Sequence, residues 1–83
     1  RYAHFRFSLE SENFAAAMNS VTLLADKHDA AVSGISVERT EGGACRIAFD
    51  AEFSGRHAAV RMQTFLRELT ETDGMRSVRA DQN

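Results

Sequence analysis

The sequence predicts an α+β fold in which two helices cover one face of a four-stranded antiparallel sheet, in the order βαββαβ. Three observations predict it. Two stretches follow one script, an alternating strand ending in Glu, then Ser, then an Ala-rich amphipathic helix: Phe7-Ser8-Leu9-Glu10-Ser11 precedes Asn13-Phe14-Ala15-Ala16-Ala17-Met18, and Phe49-Asp50-Ala51-Glu52-Phe53-Ser54 precedes His57-Ala58-Ala59-Val60-Arg61-Met62. A further alternating stretch follows each helix, which gives two βαβ halves, and right-handed crossovers leave few compact ways to join them. The chain has 83 residues, no proline and no linker or low-complexity segment, so residues 1–83 read as one domain. A chain of this length buries roughly 60–65% of the surface its unfolded form exposes, enough for a single core.

The first strand runs from Tyr2 to Glu10, with Ala3, Phe5, Phe7 and Leu9 on one face and Tyr2, His4, Arg6 and Ser8 on the other. Ser11 is positioned as an N-cap, and Phe14, Met18, Val21, Leu24 or Ala25, and His28 recur at helical spacing up to Asp29. Alternation returns from Ala31 to Thr40, with Ile35 and Val37 inward and Ser36 and Glu38 outward. From Ala44 to Phe53 it buries Cys45, Ile47, Phe49, Ala51 and Phe53.

These two strands form a hairpin whose register follows from their faces, because residues directly opposite in an antiparallel pair point to the same side. Ile35 is expected opposite Phe49, Val37 opposite Ile47 and Thr40 opposite Ala44, leaving Glu41, Gly42 and Gly43 as the loop. Gly43 takes the left-handed bulge position, and Glu38 lies beside Arg46 on the outer face. Ser54 is the second N-cap candidate, before a helix with the apolar stripe Ala58, Met62, Phe65, Leu66 and Leu69 running towards Thr72. Gly74 stops that helix, and Met75 to Asp81 supplies a short edge strand with Val78, Ala80 and the aliphatic stem of Arg76 towards the helices.

Composition excludes several function classes. Ten Lys plus Arg against twelve Asp plus Glu leave a formal charge of -2, without the basic footprint that nucleic acid or anionic lipid requires. A single Cys makes no internal disulfide and points to a reducing, cytoplasmic setting. No apolar run approaches the roughly 18 to 20 residues that cross a bilayer, so this segment is not expected to insert in a membrane or act as a signal peptide. Because position 1 is Arg and not Met, the segment is expected to have been excised from a longer protein.

Candidate chemistry is sparse. His4, His28 and His57 share no metal-ligand spacing, and Asp26, His28 and Asp29 spread around a helix end, so no metal and no cofactor is expected. Gly43-Ala44-Cys45-Arg46-Ile47-Ala48-Phe49 has a faint likeness to an RNA-binding strand, yet Phe5, Phe7 and Phe49 fall on the helix side and leave Tyr2 as the outward aromatic. Cys45 alternates with the buried set and is a small core residue, not a nucleophile. Glu10 and Glu52 occupy equivalent strand ends and read as solvated residues before helix starts, not as an acid/base pair. Acylphosphatases share the topology, but their phosphate-cradling loop is absent from Leu9-Glu10-Ser11-Glu12-Asn13. No catalytic residue is nominated.

The strand Phe5-Arg6-Phe7, the stretch Val32-Ser33-Gly34-Ile35-Ser36-Val37-Glu38, the hairpin into Ile47-Ala48-Phe49 and the ending Leu69 with Asp73-Gly74-Met75-Arg76-Ser77-Val78 together resemble the ACT-like, ferredoxin-like regulatory domain. Two branches are especially similar: the cytosolic C-terminal domain of MgtC/SapB membrane proteins and the small regulatory subunit of acetolactate synthase. The resemblance implies a non-catalytic domain that regulates or assembles a larger bacterial protein, of which the MgtC/SapB branch is the better match to an excised start. It implies as the alternative an amino-acid sensor that regulates a metabolic enzyme such as acetolactate synthase. Ligand-binding members carry a Gly just after the first strand, where Glu10-Ser11-Glu12-Asn13-Phe14 has none, which directs the expectation to association.

Two candidate sites follow. The second strand should be a sheet edge, and Val32, Ser33, Gly34 and Ile35 offer an uncharged stretch for pairing with a second copy or with the parent protein. On the outer face Arg6, Arg46 and Arg79 could hold a carboxylate or phosphate ligand by paired hydrogen bonds.

Overall fold

Alternation along the first strand produces β1 (Tyr2–Ser11), which lies inside a four-stranded sheet. The computed structural model describes residues 2–82. After β1 come α1 (Phe14–Lys27), β2 (Ala30–Arg39), β3 (Cys45–Ser54), α2 (Ala58–Glu71) and β4 (Arg76–Gln82). The strand order is β2-β3-β1-β4, and β1 with β3, β1 with β4 and β2 with β3 pair antiparallel. The fold is therefore the ferredoxin-like βαββαβ sandwich, with β2 and β4 as its edges.

Both helices bury their apolar faces against one side of the sheet. Phe7, Phe49 and Phe53 from the strands meet Phe65 of α2, and all four are fully buried. From α1 the buried residues are Ala17, Val21 and Ala25, small enough to let that helix lie close on the sheet. The expected stripe of Phe14, Met18 and Val21 is thus rotated: Phe14 stands 41% exposed at the first turn, because Ala17 takes the core position one residue before Met18. The stripe of α2 is as the periodicity predicts, with Met62, Phe65 and Leu69 buried.

Neither helix starts at the serine that the sequence suggests. Ser11 remains in β1, paired with Cys45, and its hydroxyl accepts from the Asn13 amide at 3.2 Å. Asn13 is the N-cap of α1, its side-chain oxygen accepting from the Ala16 amide at 3.0 Å. Ser54 likewise stays in β3 opposite Tyr2, and α2 begins after His57, which has a left-handed φ of 62° and no side-chain cap bond. Sheet pairing has overridden capping preference at both sites, since the last strand residue must stay extended.

The hairpin between β2 and β3 closes as expected. The Thr40 amide donates to Ala44 O at 2.7 Å, the Gly43 amide to Thr40 O at 3.0 Å, and Gly43 has φ 87°. Val37 lies opposite Ile47 and Glu38 opposite Arg46. Beyond that the expected register fails. Ser36 pairs with Ala48 but Ser33 with Asp50, so Gly34 and Ile35 together face the single residue Phe49 in a β-bulge. Val32, and not Ser33, consequently shares a face with Ala51 in the inward direction.

A second bulge lies between β1 and β4. Arg79 pairs with Ser8 and Arg76 with Glu10, which leaves Ser77 and Val78 across from Leu9, Ser77 with φ 54°. Arg76 therefore joins the outer face instead of lending its stem to the helices, and its guanidinium lies 3.7 Å from Glu12.

Candidate functional site

Antiparallel register places the outward residues of β1 beside those of β3, where Arg6 and Glu10 meet an opposite charge and His4 meets a carboxylate. His4 Nε2 lies 3.0 Å from Glu52, Arg6 Nη1 3.2 Å from Asp50, and Arg46 Nη2 3.3 Å from Glu10. Arg46 also reaches Glu38 at 3.0 Å, so it bridges β1, β3 and β2. Hydrogen bonds to Glu38 first and Glu10 second raise the Arg46 pKa above its ordinary value. The outer face is a ladder of cross-strand pairs.

The three nominated arginines thus separate by role. Arg6 donates to Gly34 O at 2.8 Å and to the Ser36 hydroxyl at 3.2 Å while it pairs with Asp50, which makes it the clasp of the β2 bulge. Arg46 is engaged by two carboxylates. Arg79 uses only Nε, donating to the Ser8 hydroxyl at 3.3 Å, and among the described residues it has no acidic partner within ion-pair distance. Arg46 and Arg79 line one cavity of the outer face, and Arg6 is not part of that lining.

The nominated edge residues Val32, Ser33, Gly34 and Ile35 all lie in β2. Ile35 and Val37 are 49% and 47% exposed although both point to the helix side, because α1 does not reach far enough over the edge to cover them. A groove of about 340 Å³ separates α1 from this part of β2, lined by Met18, Thr22, Ala25, Val32 and Ile35 together with Ala30 and the charged Asp26. The signal that sequence reading missed is on α1. From Phe14 to Ala25 this helix has no charged residue, and Phe14, Leu23 and several small side chains are exposed.

The C-terminal end of α1 is joined to α2 by polar contacts. Glu68 accepts from His28 Nε2 at 2.7 Å and from Lys27 Nζ at 2.9 Å; because a carboxylate only accepts, Nε2 carries the proton. Arg61 donates to the His28 carbonyl at 2.8 Å and to the Ser54 carbonyl, fastening α2 to the ends of α1 and β3. The His28 bond, then the Lys27 bond, hold the Glu68 pKa at about 2 against an ordinary 4.5.

That direction sets a pH dependence. A carboxyl whose folded pKa is depressed contributes stability that is present above the unfolded value and is lost as pH falls through the folded one. Between the wild type and Glu68→Gln, the gap in urea midpoint is expected to narrow as pH falls from 4.5 to about 2. Urea titrations at stepped pH check this, and a gap independent of pH would show that Glu68 acts only by packing.

No constellation for catalysis is assembled among the described residues. No group of three or more His, Cys, Asp or Glu is placed to hold a metal ion. Cys45 is buried beneath the sheet surface. Glu10 and Glu52 lie six register positions apart, about 20 Å along the strands, and each is engaged by its own neighbour, Arg46 for Glu10 and His4 for Glu52. Phe5, Phe7 and Phe49 are buried on the helix side, so the outer face offers no stacking platform of the RNA-binding kind.

Neither a protein-family model nor a curated protein matches the sequence. Solved structures do match in shape. The C-terminal domain of the MgtC protein from Mycobacterium tuberculosis superposes with a TM-score of 0.81 at 11% identity, over 98% of this chain and 87% of that one. The ACT domain of the GTP pyrophosphokinase of Chlorobium tepidum gives 0.66 at 16% identity, covering 96% of both chains. An ACT domain protein from Streptococcus pneumoniae gives 0.75 at 5% identity, over 96% of this chain and 89% of that one. By these superpositions the chain has the ACT-like fold and is similar in shape to the MgtC C-terminal domain.

Proposed function

We propose that this chain is a non-catalytic association domain that pairs with a second copy of itself through the flank formed by α1 and β2. It would serve a larger bacterial protein, as the cytosolic C-terminal domain of an MgtC/SapB-like membrane protein. One observation carries the reading: this flank has no charge over residues 14–25 of α1 and none over residues 30–37 of β2. A sheet edge left in water is normally guarded by charge. Here Ile35 and Val37 stand half in water instead, beside an open groove whose lining is mostly apolar and carries a single charge, Asp26.

A second copy fits this surface better than a charged partner. An isologous contact sets like against like across a two-fold axis, which an uncharged patch tolerates without repulsion and a charged one does not. The remaining sides of the molecule differ, with Arg56, Arg61, Arg67, Glu68, Glu71 and Asp73 on or beside α2. The shape likeness to the MgtC C-terminal domain supports the choice of parent. No described helix is long and apolar enough to cross a membrane, so in that setting insertion would fall to other segments of the parent.

Sedimentation equilibrium of the chain over a concentration series tests the reading. Ile35→Lys and Leu23→Lys, both at exposed positions, are expected to weaken self-association by roughly tenfold or more. Val60→Lys, equally exposed but on α2, is expected to leave it unchanged. A monomer at every concentration, or equal effects from all three variants, would refute the assignment of this flank.

A further inference from the structure

We infer that Arg79, with the Ser8 and Ser77 hydroxyls, forms a binding site for a phosphate group on the outer face of the sheet, away from the α1 and β2 flank. The register makes the site. His4 faces Glu52, Arg6 faces Asp50, and both Arg46 and Arg76 face Glu10, whereas Arg79 faces Ser8. Ser8 is flanked on its other side by Ala48. Small residues thus sit where the rest of the ladder carries acids, and they leave a hollow.

That hollow is a cavity of about 470 Å³ lined by Ser8, Glu10, Arg46, Ser77 and Arg79, with Leu9 and Val78 completing its wall. The bulge at Ser77 and Val78 brings Ser77 to it with a left-handed φ of 54°, a conformation that costs a non-glycine residue about 1 kcal/mol or more and that is held in place here by the strand pairs on either side. The one acid on the lining, Glu10, is engaged by Arg46 at 3.3 Å. Because Arg79 spends only Nε on Ser8, its two terminal nitrogens remain to grip two oxygens of an anion in a fork. The serine hydroxyls on the lining supply donors for a third oxygen, which a tetrahedral phosphate has and a carboxylate lacks.

The test is an amide NMR titration of the chain at constant ionic strength with inorganic phosphate, with glycerol 3-phosphate and with acetate. Saturable shifts centred on Ser8, Ser77 and Arg79 are expected for the phosphates, tighter than for acetate; the tighter of the two phosphates identifies a free anion or a monoester as the ligand class. Arg79→Gln should weaken the affinity by roughly tenfold or more, while Arg39→Gln, on β2 at the opposite edge of the sheet from β4, should not change it. Shifts that grow linearly without saturation, acetate binding as tightly as phosphate, or an Arg79→Gln variant that still saturates like the wild type would each overturn the site. The dimer flank lies on other elements, so either proposal can fail without the other.

Discussion

Replacing Phe65 with Ala is expected to remove about 3–5 kcal/mol of stability. Phe65 is fully buried and is the one ring of α2 that reaches the sheet aromatics. Its ring stands edge-on to Phe7 at 5.1 Å, to Phe53 at 5.6 Å and to Phe49 at 6.5 Å, and His28 of the α1 end closes the fourth side at 6.2 Å. Truncation therefore leaves a cavity walled by stiff aromatic groups that cannot collapse into it, which places the cost high in the range for such changes. A domain of this size has about 4–12 kcal/mol in total, so the loss is about a quarter of that total or more. Urea unfolding checks the loss, with Phe65→Leu as the volume-sparing comparison expected to cost under half as much. A loss below about 1.5 kcal/mol for Phe65→Ala would mean that α2 is not anchored through this ring.

The consequence reaches beyond the core. Glu68 lies one turn from Phe65 on α2 and bonds His28 and Lys27, so loosening the ring also loosens the joint between the helices. The α1 surface proposed for association is held in position by that joint and by its small core residues Ala17, Val21 and Ala25.

How much of this was legible in the sequence depended on whether neighbouring residues forced one answer. In β1 and β3 large apolar residues alternate strictly with polar ones, so Phe5, Phe7, Leu9, Ile47, Phe49 and Phe53 could face only the core. Both faces and the Gly43 loop follow from that constraint. In β2 the run from Ala30 to Val37 is small or apolar at nearly every position, and either face could be the inner one. The hint that alternation breaks there was Gly34, since an isolated glycine within a strand marks a bulge. The arginines were less legible still. Their outward direction followed from alternation, but which of them meets an acid depends on the pairing of β1 with β3 and β4, whose partners are 34 or more residues apart in the chain. Arg6 and Arg46 became structural by that pairing, and only Arg79 was left with nitrogens to offer.

Gly34→Ala is expected to be the costliest of the glycine substitutions, at about 2–3 kcal/mol. Gly34 has φ 60°, where any side chain adds about 1–2 kcal/mol of backbone strain. Gly43 has a comparable φ of 87°, but a Cβ there meets nothing within 4 Å, so Gly43→Ala measures strain alone. At Gly34 a Cβ would lie 2.5 Å from Asp50 Oδ2 and 3.3 Å from Arg6 Nη1. The carboxylate can swing away, yet doing so breaks its pair with Arg6, and Arg6 is the group that holds the Gly34 carbonyl. The bulge would lose its clasp at the same time as it gained strain. Straightening is no escape, because removing the extra residue shifts Ala30 to Ser33 by one and turns Val32 outward and Ser33 inward. Urea midpoints of Gly34→Ala, Gly43→Ala, Asp50→Ala and the double variant of Gly34 and Asp50 form a cycle. The excess of Gly34→Ala over Gly43→Ala is expected to be about 1 kcal/mol and to vanish once Asp50 is removed. An excess that survives the loss of Asp50 would place the cost in the backbone of β2 and not in its clasp.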